Sequence, residues 1–92
     1  MKNIKKVQLN TEVWKEGNMY VSYVPQLDIS SCGKTAEEAK ENIREATELF
    51  FKEIKRMKTS KEVFEEAGFL VDKDKIWKAP ELISFEKMQL AF

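Results

Sequence analysis

Ninety-two residues with a formal net charge of zero, 42% hydrophobic and 35% charged, describe one small domain with a well-wetted surface. With no histidine and a single cysteine, the chain has no internal disulfide, no cysteine–histidine metal site and no ordinary Ser–His or Cys–His nucleophile. A sequence pI near 6.3 without a basic stripe argues against a free-standing nucleic-acid binder.

The charge is unevenly spread. Residues 1–34 carry five bases and three acids, residues 35–70 seven bases and nine acids, and the remainder four of each. Lys2, Lys5 and Lys6 make a basic start, but no apolar h-region follows, and apolar runs stay too short to span a bilayer. A reduced, cytoplasmic location is expected from this pattern.

In chain order, Val7, Leu9, Thr11 and Val13 alternate with polar residues and predict a half-buried strand. Gly17 and Asn18 predict a hairpin turn into "MYVSYV", where Met19, Val21 and Tyr23 share one face and Tyr20, Ser22 and Val24 the other. Pro25 interrupts the ladder, and a short third strand is expected around Leu27 and Ile29. Thr35 and Glu38 form a capping box, followed by an apolar stripe at Ala39, Ile43, Ala46, Phe50, Ile54 and Met57. This predicts a helix from Ala36 to about Met57, with acids early and bases late, as the macrodipole favours.

Thr59 and Glu62 repeat the capping pattern ahead of a short helix carrying Val63, Phe64 and Ala67 and stopped by Gly68. "VDKDK" reads as a solvated loop and "IWKAP" as extended. "ELISFEKMQLAF" is expected to be a further strand, with a change of face near Glu86. The expected fold is α+β: a small antiparallel sheet of three strands plus a C-terminal strand, one long helix on one face and a second short helix. The expected core is Val7, Leu9, Val21, Tyr23, Ile29, Ile43, Ala46, Phe50, Ile54 and Phe85.

Chemistry is sparse. Cys32 stands beside Gly33 before the helix and reads as a small residue ending a strand; the three glycines each read as a turn or cap. Asp28 and Glu48 are the one carboxylate pair that could be argued to hold magnesium for a nuclease. Glu37, Glu41, Glu45 and Glu48 follow one another at helical spacing. They make an acidic line that reads either as a solvated face or as a landing strip for a basic partner. The tail residues Phe85, Met88, Leu90 and Phe92 fit an inner strand of this chain or an edge that pairs with another copy.

The stretch "EGNMYVSYVPQLDISSCGKTAEEAKENIREATELFF" resembles the HicB antitoxin family. The likeness covers about residues 7–51 and rests on Gly17, Tyr20, Tyr23, Pro25, Leu27, Ser31, Gly33, Thr35, Glu38, Ala39, Asn42, Ile43 and Ala46. Gln26 stands where a glutamate is commoner, and Val24 where a cysteine is common.

The resemblance implies a degraded RNase H-like fold and a single domain over 1–92, with residues 58–92 outside the matched region. It also implies a non-enzymatic role without cofactor or metal: binding a HicA-type mRNA-cleaving toxin and covering its active-site histidine. Toxin contacts are expected at Tyr20, Gln26, Glu37, Glu41, Glu45 and Glu48, with Trp14 and Trp77 as possible anchors. Phe85, Met88, Leu90 and Phe92 are the expected contacts of a homodimer or higher homo-oligomer. No recognition helix follows residues 60–67, so direct DNA binding is not expected. The alternatives are a residual metal-dependent nuclease and a non-catalytic oligomeric scaffold.

Overall fold

A computed structural model of the chain describes residues 6–92, so the lysines at positions 2 and 5 lie outside the described residues. The described elements are β1 (Lys6–Gln8), β2 (Glu12–Glu16), β3 (Met19–Val24), β4 (Ile29–Gly33), α1 (Ala36–Arg56), α2 (Ser60–Glu66), β5 (Leu70–Val71) and β6 (Ile76–Lys78). The class is α+β, as expected: two helices, one long, with two three-stranded sheets ordered β2-β3-β4 and β1-β6-β5.

β1 and β2 are nearly one strand broken at Leu9–Thr11. The first half pairs parallel with β6, Val7 opposite Trp77; the second pairs antiparallel with β3, Trp14 opposite Val21. One run of chain therefore belongs to both sheets. In the β2–β3 hairpin, Glu16 faces Met19 across a two-residue turn, and Gly17 takes the positive φ of 64° at its first position, where a side chain would be strained.

α1 packs chiefly on β4 and β3. Thr35 caps it, its Oγ1 accepting the Glu38 amide at 3.0 Å. Glu38 reaches back to the Lys34 amide at 2.6 Å, one residue before the cap. The first turn sits so low that a Cβ on Gly33 would lie 2.7 Å from the Ala39 nitrogen. Gly33 is thus required by close approach, rather than by a turn or cap.

That approach sets the phase of the sheet. Ser22 and Val24 are fully buried under the helix, whereas Val21 and Tyr23, expected in the core, lie on the opposite face and are half-buried. Small side chains at Ser22, Ser31 and Gly33 line the face beneath α1 and leave space for its backbone. The helix stripe is rotated in the same way: Thr47 is buried and Ala46 half-buried. Thr47 satisfies its hydroxyl by donating to the Ile43 carbonyl at 2.8 Å.

Both helices end in Schellman motifs. The Thr59 amide donates to Ile54 and Lys58 to Lys55; the Phe69 amide donates to Phe64 and Gly68 to Glu65. The left-handed residue is Gly68 in the second motif but Lys58, at φ 60°, in the first. The expected capping box at Thr59 does not form. Thr59 instead turns its hydroxyl and amide to the Ile54 carbonyl, closing α1 rather than opening α2.

The main apolar core lies under the second half of α1. Ile54, Phe64, Phe69 and Trp77 are buried together, with Val7, Leu27, Phe50 and Phe51 packed around them. Phe64 is the hub, 5.6 Å from Phe51, 5.3 Å from Phe69 and 5.5 Å from Trp77 between ring centroids. Trp77 is thereby a core residue and no interface anchor, while Phe85, expected inside, is 71% exposed.

The further strand falls at Ile76–Lys78, and Glu81–Phe92 forms no strand in this chain. The last bond of the ladder beside β1 is the one the Ala79 amide donates to Gln8 at 3.0 Å.

Asp72 organises the β5–β6 turn. Its Oδ1 accepts the Asp74 and Ile76 amides at 2.8 and 3.1 Å, and its Oδ2 meets Lys78 Nζ at 3.1 Å. The Ile76 amide first, then Lys78, hold its carboxyl below the usual 3.8.

Three outcomes follow. Gly33→Ala lowers the thermal midpoint, because displacing the first turn of α1 costs about 1–3 kcal/mol. Lys58→Gly raises the midpoint by relieving a left-handed conformation that costs an L-residue roughly 1–2 kcal/mol. The Asp72 contribution is full above pH 3.8 and is lost as pH falls through its lower folded value. In urea unfolding, wild type therefore exceeds Asp72→Asn near neutrality, and the gap closes in strong acid.

Candidate functional site: an acid-rimmed groove beside the long helix

A groove of about 780 Å³ lies between α1 and the stretch Val7–Thr11, which runs through the break between β1 and β2. Val7, Leu9, Ile43 and Phe51 supply its apolar lining, and Thr11 and Thr47 add small polar groups. Glu37, Glu38, Glu41 and Glu48 stand on its helix side, accompanied by Lys40 and Arg44. Four carboxylates against two cations leave this side acidic. Glu38 is committed to the helix cap. Lys40 meets Glu37 at 3.6 Å and Arg44 meets Glu48 at 3.5 Å, both as exposed pairs that hold their partners weakly. Glu41 has no ion-pair partner among the described residues.

Of the expected toxin contacts, the structure brings together Glu37, Glu41 and Glu48. Glu45 is exposed but lies off the groove, on the flank that helical spacing turns away from it. Tyr20 is half-buried on the helix-facing side of β3, with Lys15 Nζ 5.9 Å from its ring centre. Gln26 is half-buried in the Pro25–Asp28 turn, its Oε1 enclosed without a hydrogen-bond partner among the described residues. Neither lies on the groove. Thr11, Lys40, Arg44 and Thr47 line it and were not singled out in the sequence. The break beside it carries no glycine or proline to signal it.

The carboxylates argued for magnesium are each otherwise engaged. Asp28, at φ 56° in the turn after β3, accepts the Tyr23 hydroxyl at 2.8 Å, and Glu48 pairs with Arg44. That hydrogen bond, with the nearby Asp28 and Glu12 charges, pushes the Tyr23 phenol above its usual 10.0. Among the described residues no group of three or more Cys, Asp or Glu is placed to hold a metal ion. No described helix is long and apolar enough to cross a membrane.

The fold and groove together define a small α+β domain with an open, acid-rimmed cleft along one helix. No protein-family model, curated protein or solved structure matches the chain.

Proposed function

We propose that this chain is a HicB-like antitoxin that binds a small, basic, HicA-type RNA-cleaving toxin and neutralises it by covering the active site, without catalysis of its own. The observation that carries the reading is the groove beside α1, where Glu37, Glu41 and Glu48 ring an apolar lining. An apolar floor gives a partner surface to bury, and the excess of carboxylates favours a basic one over an acidic one. The reading is also supported by the three-stranded β2–β3–β4 meander, the capped helix and a further strand, the elements that the resemblance implies. In this reading the protein works in the cytoplasm, associates with further copies of itself and does not contact DNA directly.

The test is a pull-down from the native host with wild type, Glu41→Lys/Glu48→Lys and Glu45→Lys. A small, basic, histidine-bearing protein is retained by wild type and by Glu45→Lys, and its affinity for the groove double variant falls at least about tenfold. Equal loss with Glu45→Lys removes the groove from the interface. Failure of wild type to retain such a protein sinks the antitoxin reading.

A further inference from the structure

The side of the β2–β3–β4 sheet away from α1 is open. Register places Trp14, Val21 and Cys32 in one row across it, with Met19 on the same face two residues along β3. Trp14 is 46% and Met19 38% exposed, and the Cys32 thiol is exposed. The tail after Pro80 is more apolar still: Leu82, Ile83, Phe85, Met88, Leu90 and Phe92 are all exposed and belong to no strand. Within the chain the two surfaces meet where the Phe85 ring stands edge-on to Trp14 with centroids 5.5 Å apart.

The exposed surface is larger than that of a compact chain. A compact chain of this mass exposes roughly 5,500 Å², whereas this one exposes 7707 Å². Its radius of gyration is 15.4 Å, against about 12 Å for a compact chain of this length. The excess, on the order of 2,000 Å² per chain, is more than the roughly 800 Å² each partner buries in a standard interface.

We propose that two copies associate through this side of the sheet, Phe85 of each staying on its own Trp14 while the rest of the tail to Phe92 lies across Met19, Val21 and Cys32 of the other. This rests on, and specifies, the self-association included in the proposed function. Each chain offers both a helix-free face and an apolar segment, so one two-fold arrangement covers both surfaces of both copies. A net charge of zero removes overall repulsion between the copies. The acid-rimmed groove borders α1, across the sheet from this face, so a dimer leaves it open to a different, basic partner.

The experiment uses full-length protein purified alone, so its result is independent of any toxin. Mass is measured by sedimentation equilibrium for wild type, Met88→Asp/Leu90→Asp and Trp14→Glu, with helicity checked by circular dichroism. Cys32 reactivity toward a maleimide is followed in wild type and in the tail variant. Wild type has twice the 10.8 kDa chain mass, both variants have the single-chain mass, and Cys32 reacts about tenfold faster in the tail variant than in wild type. A single-chain mass for wild type overturns the proposal, as does a dimer that survives either variant. Monomeric tail variants with unchanged Cys32 reactivity also overturn it, because the dimer would then lie elsewhere.

Discussion

The contact between Gly33 and the first turn of α1 governs the rest of the architecture. With 2.7 Å between a hypothetical Cβ and the Ala39 nitrogen, the helix backbone can reach the sheet only where side chains are minimal. That closeness buries Ser22 rather than Val21, directs α1 along β4 and β3, and leaves the opposite sheet face without a helix. The capping pair Thr35 and Glu38 fixes the start of the helix at the same corner, so position and direction are set within six residues. A strand–corner–helix unit of this kind holds its geometry by exclusion of bulk more than by attraction.

Two cores divide the load. Beneath the first half of α1 the packing is shallow, built from Ala39, Ile43, Val24 and Ser22. Beneath the second half it is aromatic and deep, with Phe64 touching three other rings. Large aromatic side chains bring both hydrophobic area and directional edge contacts, which suits a chain too short for an extended aliphatic interior. The groove lies beside the shallow part, between α1 and the Val7–Thr11 stretch.

The sequence made some of this readable and hid the rest for physical reasons. Ala36–Arg56 carried a cap, a periodic stripe and graded charge, and all three signals agreed; the hairpin at Gly17 had its obligatory glycine. "MYVSYV" offered two faces of similar apolarity, so only the proximity of α1 could choose between them. Thr59 matched a capping box by spacing, but the end of the preceding helix claimed its hydroxyl and amide. Trp77 and Phe85 exchanged roles because a parallel strand formed from distant residues leaves no local pattern. On the groove, three acids of the line converged, whereas Tyr20 and Gln26, singled out by the family likeness, lay elsewhere. A charged helix face can be read from periodicity; a cleft beside an unsignalled break cannot.

The shared strand also implies an order of assembly. The β2–β3–β4 meander and α1 join segments adjacent in the chain, so they close short loops at small entropic cost. β1 cannot find its partner until the chain has returned from the far side of both helices, since Lys6 pairs with Ile76. The β1–β6 ladder therefore closes the longest loop of any described strand pairing. A covalent tether between β1 and β6 would act on the lifetime of the aromatic core more than on the shape of the sheet beside it.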